Sequence, residues 1–301
     1  MRILTYLVPP QDEGRAVRSV VPRRFALGEH AYRRLKVQEA ILVNGEIARA
    51  SRILRAGDLI TIHLPSQEAG PDALPAQEAS PSPLPASFIR HIDEDLLVVS
   101  KGAPLPTLPA SHIKTGTLRE QLAGMLGQNP DDFSFHPVNR LDKGTSGLMV
   151  VARHAHAQRL LTAQLHTGSF VREYLAVTEG VPANAQGTID APIARTGEGA
   201  RRAVMEGGRR AVTHYQVLSK NGGRALLRLR LETGRTHQIR VHLAHSGCPI
   251  AGDYLYGTEL AALHGRFALH SAHLSCVHPI TGETIILDEP LPDALNALLA
   301  P

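Results

Sequence analysis

At 301 residues, 43% of them hydrophobic, the chain is long enough for two domains with full cores, and its formal net charge is +4. Only two cysteines occur, Cys248 and Cys276, too few for a disulfide framework, so a reducing cytoplasm is expected. Met1–Pro10 holds one basic residue and an apolar run cut by two prolines, so no signal peptide is expected, and no stretch approaches membrane-spanning length.

Positive charge gathers near the start. Arg15 to Leu64 contains ten Lys or Arg against four acids, a local balance of +6 that leaves −2 for everything else. Such a segment is the footprint of a polyanion partner or a solvated basic surface, and charge alone weighs the two evenly. Within it the order is helix, helix, short hairpin. Ala31 to Ala40 sets Leu35, Val37 and Ala40 among basic residues at a loose helical spacing. Ile41–Ile47 then places two apolar runs around Asn44-Gly45, a strong hairpin signal, and Arg55–Ile62 adds a turn at Gly57-Asp58 and a closing strand. From Pro65 to Ala86 six prolines stand among Ala, Ser and Glu, a composition that cannot pack a core. This predicts a front domain over 1–64, a Pro-rich linker over 65–87 and a back domain over 88–301.

The back domain opens with a hairpin, Ser87–Ile92 and Leu96–Val99 across Asp93-Glu94-Asp95. Thr117 caps a helix running through Leu126 to Gly127. His154 to His166 reads as a helix stopped by Gly168, and Val171–Ala176 as a strand. Residues 195–210 hold five arginines around Gly207-Gly208, either a basic hairpin or a surface loop. Ala211–Leu218 and Arg224–Leu231 pair across Asn221-Gly222-Gly223. Thr236 is placed to cap a helix ending at Ser246, before Gly247.

The stretch Phe135–Arg153 concentrates chemistry. Arg140, Asp142 and Lys143 precede Gly144-Thr145-Ser146-Gly147 and an apolar run from Leu148 to Ala152, so charge is held at the mouth of a buried strand. By itself an Arg-x-Asp is more often a surface ion pair worth under about 1 kcal/mol. The run lacks the second glycine of a nucleophile elbow and the upstream glycine of a phosphate loop. His242, His245 and Cys248, with His270, His273, Cys276 and His278, offer zinc-ligand types, but no paired Cys-x-x-Cys or His-Glu-x-x-His frames them, and no metal is expected.

Asn139-Arg140-Leu141-Asp142-Lys143-Gly144-Thr145-Ser146-Gly147 resembles the signature loop of the RluA-type pseudouridine synthases. Val171–Ala176 is similar to that family's Lys-x-Tyr-x-Ala segment, with Arg172 for Lys, and Leu231–Leu243, with Pro249–Gly257 behind it, to its Gln-Ile-Arg segment. Val43-Asn44-Gly45 with Ala56-Gly57-Asp58 resembles the S-four RNA-binding domain found ahead of many such catalytic domains. The resemblance implies an α+β fold: a mixed, largely antiparallel sheet with flanking helices, preceded by a small S-four-like α/β domain. It implies an RNA pseudouridine synthase, with Asp142 as the catalytic carboxylate, Arg240 as its partner and Tyr174 as the active-site tyrosine. Leu141 and Ile239 would complete an apolar shelf for the base, Arg140 would hold the place vacated by a flipped uridine, and Arg33, Arg34 and Lys36 would track RNA phosphates. No cofactor is needed, because the reaction rearranges one base without oxidising it. Ribosomal RNA is the expected substrate, with transfer RNA, or an inactive RNA-binding protein on the same fold, as alternatives; a monomer is expected. Asn139 stands where many relatives have His, and Gly102 where the family usually has Pro.

Overall fold

The computed structural model describes residues 2–64, 86–109, 115–130, 133–197 and 199–300. The chain divides into two compact units, Met1–Leu74 and Pro75–Pro301. The linker expected over 65–87 falls, except for its last two residues, outside the described residues.

In the first unit, strand β1 (Arg2–Leu7) is followed by helices α1 (Val17–Arg24) and α2 (Glu29–Val37), then β2 (Ile41–Val43), β3 (Glu46–Ile47) and β4 (Leu59–Leu64). The strands form an antiparallel sheet in the order β1-β4-β2-β3. Asn44 and Gly45 both take positive φ, +55° and +83°, as the tight hairpin requires. The Asn44 side chain also accepts from Leu59 N–H and donates to Asp58, both at 2.8 Å, tying the hairpin to β4. Val37 departs from expectation: Leu35 is buried, but Val37 is 78% exposed. Two helical positions lie about 200° apart around the axis, so one face cannot hold both. Asp12, 1% exposed, accepts from Tyr6 hydroxyl at 2.7 Å and Arg24 Nε at 2.8 Å, with Arg15 and Arg23 at 3.7 and 3.8 Å. A buried carboxylate thus gathers part of this unit's positive charge.

The second unit begins with β5 (Ile89–Ile92), β6 (Leu96–Lys101), α3 (Leu118–Met125), β7 (His136–Pro137), β8 (Ser146–Ala152), α4 (Ala155–Gln164) and β9 (Val171–Glu179). It continues through β10 (Gln186–Asp190), β11 (Ile193–Arg195), β12 (Arg202–Val204), β13 (Val212–Asn221), β14 (Arg224–Leu231), α5 (Gln238–His245), β15 (Leu269–Val277) and β16 (Thr284–Asp288). Ten strands make one sheet, ordered β10-β13-β14-β9-β15-β8-β6-β5, with β16 beside β15 and β7 beside β8. The β15–β8 pair is parallel and the rest are antiparallel, so the fold is α+β with a mixed sheet.

All seven residues of β8 are buried. Met149 and Val151 join a core with Leu118 and Leu122 of α3 and Ile239 and Leu243 of α5, while Leu148, Val150 and Ala152 face Ala157 and Leu161 of α4. A strand covered on both faces is apolar throughout rather than alternating, which explains the unbroken run after Gly147. Thr117 caps α3 through a full capping box with Glu120. The cap expected of Thr236 is absent: α5 starts at Gln238 behind His237, which lies in the left-handed region. The Gln238 amide explains the shift, since its oxygen accepts from Thr233 hydroxyl (2.8 Å) and Arg235 N–H (2.9 Å) and closes the turn itself. The arginine-rich stretch forms the β11–β12 hairpin, a small separate sheet. Among the described residues no helix is long and apolar enough to cross a membrane.

Candidate active site

The loop between β7 and β8 carries Asn139, Arg140, Leu141 and Asp142, and two glycines set its course. A Cβ on Gly144 would stand 2.6 Å from the Phe267 ring, and one on Gly147, whose φ is +105°, 2.2 Å from the Ser271 carbonyl. Gly144 therefore lets the loop lie against Phe267, and Gly147 lets β8 close on β15 in their parallel pairing. Thr145 N–H donates to the Asp142 backbone carbonyl at 3.0 Å and completes the turn.

The segment after β6 braces this loop from the other side. Lys101 is 1% exposed, and its ammonium donates to the carbonyls of Leu105 (2.8 Å), Gly102 (2.9 Å) and Lys143 (3.3 Å). Leu105 N–H also donates to the Lys143 carbonyl, and the Thr107 hydroxyl to that of Leu141 at 3.1 Å. Burial pulls Lys101 down to about 7, against the charge of Asp142. Three carbonyl acceptors call for three N–H donors, one more than a neutral amine has, so the site is built for the ammonium. Gly102, where the family usually has Pro, is compatible with this brace.

Asp142 meets a residue 98 positions further on. Arg240 Nη1 donates to Asp142 Oδ2 at 3.0 Å, while its Nε and Nη2 hold Asp253 Oδ2 and Oδ1 at 2.7 and 2.9 Å. Arg240 and Asp253 side chains are 2% and 0% exposed, whereas that of Asp142 is 29% exposed. Only Asp142, then, turns a carboxylate to solvent. Burial alone would lower the Arg240 pKa, but Asp253, and after it Asp142, more than offset this and raise it above the ordinary arginine value. The guanidinium also lies 4.1 Å from the Phe267 ring centroid and 5.0 Å from that of Tyr256.

These groups open on a cleft of about 680 Å³ lined by Arg140, Leu141, Asp142, Tyr174, Ile239 and Arg240 among others. Tyr174, on β9, packs in one core cluster with Leu141 and Ile239, and burial raises its hydroxyl pKa, so it stays protonated near neutrality. Arg140 and Lys143 are exposed at the rim, where Arg172 and Arg235 add charge. The structure thus brings six of the expected site residues into one cleft. Arg33, Arg34 and Lys36 belong to the other unit, exposed on α2, with Arg33 3.4 Å from Glu29 and Lys36 over the Tyr32 ring.

Sequence reasoning missed four residues here: Lys101, His237, Asp253 and Tyr256. His237 takes φ +59° and ψ +18°; its Nδ1 lies 2.8 Å from the Tyr256 hydroxyl and its Nε2 3.9 Å from Asp142 Oδ2. Burial lowers its pKa, with Asp142 opposing. The spacing Gly252-Asp253-x-x-Tyr256-Gly257 is visible in the chain, but nothing local says that it folds back onto Arg240.

The histidines His242, His270, His273 and His278 weighed for zinc have other partners. His242 Nδ1 pairs with Thr213 hydroxyl and its Nε2 with the Ala191 carbonyl, while His245 is exposed and Cys248 buried. His270 pairs with Ser146 and His273 with Asp288. Among the described residues, Asp93, Asp95 and His278 form a compact group of potential ligands. There His278 Nδ1 accepts the N–H groups of Ile280 and Thr281, which leaves the ring proton on the Nε2 that faces Asp93. A neutral ring held in that tautomer is a donor to the carboxylate rather than a metal ligand.

The family model described as RNA pseudouridylate synthase matches residues 95–245. An uncharacterized RNA pseudouridine synthase of Bacillus subtilis, YjbO, is 37% identical over 85% of this chain and 88% of its own length. Ribosomal large subunit pseudouridine synthase D of Xanthomonas campestris is 36% identical over 98% of this chain and 91% of its own. Among solved structures, Human RNA Pseudouridylate Synthase Domain Containing 4 superposes with a TM-score of 0.54 at 28% identity, covering 69% of this chain and 90% of that one.

Proposed function

The chain belongs to the RNA pseudouridylate synthase family, and from that premise we propose that Asp142 carries its reaction, the isomerisation of uridine to pseudouridine, on ribosomal RNA. The observation that supports this most directly is the contact of Arg240 with Asp142 at the wall of a cleft that also holds Tyr174. The reaction breaks the bond from C1′ to uracil N1, turns the base and rejoins it through C5; C5 loses a proton and N1 gains one. A directed carboxylate beside the sugar is what it needs first, and a charge-assisted hydrogen bond from Arg240 fixes that direction.

Tyr174, Leu141 and Ile239 form the apolar side of the cleft on which a freed uracil would rest. Arg140, exposed at the rim next to Asp142, is the side chain that would fill the gap left by a flipped nucleotide. The strand, two helices and hairpin of the first unit, with exposed Arg33, Arg34 and Lys36, support its reading as an S-four-like RNA-binding domain. Ribosomal RNA is favoured over transfer RNA by the names of relatives similar over nearly the full chain and by that second basic surface, which suits a large structured target.

The test is to map pseudouridines across ribosomal and transfer RNA in cells lacking the gene, after return of either wild type or Asp142→Asn. A ribosomal site restored by wild type alone is the expected result. Identical maps would remove Asp142 from the chemistry, and a site restored only in transfer RNA would move the substrate there.

A further inference from the structure

We propose that His237 is a second catalytic residue, a neutral imidazole whose Nε2–H donates to uracil O2 as the bond to the sugar breaks. The proposal rests on the reading of Asp142 and its cleft given above.

Three observations carry it. His237 sits in the left-handed region, at φ +59° and ψ +18°, and its side chain makes no capping bond to α5. That backbone is one an L-residue rarely adopts, and the helix draws no cap from it in return. The second concerns the ring proton. Tyr256 hydroxyl accepts the backbone N–H of Arg202 at 2.9 Å, and its one other hydrogen-bond partner among the described residues is His237 Nδ1 at 2.8 Å, so the hydroxyl proton is used only if Nδ1 accepts it. An imidazole accepting at Nδ1 carries its proton on Nε2. The third is where Nε2 lies. At 3.9 Å from Asp142 Oδ2 it is too far to spend that proton on the carboxylate, and among the described residues it makes no other hydrogen bond, though His237 lines the cleft.

The chemistry needs a donor at this place. When the N1–C1′ bond breaks, its electron pair leaves with the uracil, and the charge spreads over N1, O2 and O4. O2 is the oxygen next to N1 and so the one nearest the sugar and Asp142. A fixed neutral N–H aimed there stabilises the anion as it forms and keeps its own proton. Once C5 has bonded to C1′, C5 has released its proton and N1 has taken one, and the base is neutral again. The β11–β12 hairpin supports the device, because Arg202 N–H fills one acceptor site of the Tyr256 hydroxyl and leaves its proton for His237. The charged and titratable groups facing the ring are Asp142 of the loop, Arg240 of α5, Arg202 of β12, and Asp253 and Tyr256 after α5.

The experiment follows tritium released from total RNA labelled at uracil C5, made in cells lacking the gene, under single turnover with saturating protein. The proteins are wild type, Asp142→Asn, His237→Asn, His237→Gln and Tyr256→Phe. Asn tolerates the left-handed backbone but its amide falls short of the Nε2 position, which the Gln amide reaches. His237→Asn should lose about 10²- to 10³-fold in rate with half-saturation unchanged, and His237→Gln should recover part of the loss. Tyr256→Phe frees Nδ1, so the ring samples the tautomer that presents a lone pair to the base. Protonation restores the Nε2–H, and the rate of this variant should therefore rise as pH falls through the His237 pKa, a limb absent from wild type. Nitrogen-15 shifts of the His237 ring, assigned by their loss in His237→Asn, should show the Nε2–H tautomer in wild type and a mixture in Tyr256→Phe, whatever the activities. A wild-type rate in His237→Asn, an Nδ1–H ring in wild type, or a wild-type pH profile in Tyr256→Phe overturns the proposal. Tritium released at the wild-type rate by Asp142→Asn, or none released by wild type, overturns instead the reading of Asp142 and its cleft, and the role of His237 with it.

Discussion

One guanidinium serving two carboxylates leaves a trio with a formal charge of −1, and burial decides which acid a substrate could reach. Asp253 accepts from Arg240 Nε and Nη2 and from the N–H groups of Leu255 and Tyr256, with none of its side chain exposed. It has nothing left to offer a substrate. Asp142 takes a single N–H from Arg240 and keeps an exposed edge, so Asp253 is the residue that holds Arg240 and Asp142 the one that is held. Asp253→Ala should leave a buried cation with half its partners, a loss of about 3–5 kcal/mol. Urea unfolding measures this, and an unchanged midpoint would mean that Asp142 alone can hold Arg240. Resemblance pointed to Asp142 and Arg240 because their motifs are short and distinctive. Asp253 was hidden, since an Asp after a Gly reads as a turn until the fold supplies its partner.

The loop that carries Asp142 is braced from both ends, by β8 buried in the sheet and by the segment after β6 through Lys101. Replacing Lys101 by Met keeps the length of the side chain but withdraws the donor from three carbonyls. The Lys143 carbonyl keeps Leu105 N–H, but the buried Leu105 carbonyl is left unpaired at about 1–3 kcal/mol, so the loop rather than the whole fold should give way. Turnover at saturating RNA should then fall more than RNA affinity does; a fall in affinity with unchanged turnover would show that the brace serves binding. The elements legible in the chain were those fixed by neighbours in sequence. Thr117 with Glu120 is a cap complete within four residues, and Asn44-Gly45 is a turn complete within two. Where a contact from elsewhere intervenes, local reading fails: the Gln238 side chain displaces the cap expected at Thr236. Gly144 likewise means little until Phe267, more than a hundred residues on, is seen to lie against it.

Across the whole chain, positive charge is concentrated ahead of the Asp142 loop in sequence, in a unit with its own sheet and core. Not all of that charge is available to a partner. Asp12, buried, draws in Arg15, Arg23 and Arg24, so the formal balance of the segment overstates what it presents. Arg33, Arg34 and Lys36 are different: all three are exposed on α2, and the one ion pair of the group among the described residues, Arg33 with Glu29, is exposed on both sides and worth under about 1 kcal/mol. Each residue that neutralises an RNA phosphate releases a counterion, so three of them should contribute about 2 to 3 units to the slope of log affinity against log salt. Changing Arg33, Arg34 and Lys36 together to Ala in the full chain should therefore flatten that slope by about 2 to 3, with affinity lost mainly at low salt. Turnover at saturating RNA should be untouched, because none of the three lines the cleft. Filter binding over a salt series reads the slope, and a slope equal to that of wild type would mean that α2 faces solvent in the complex and that the first unit holds RNA by another surface.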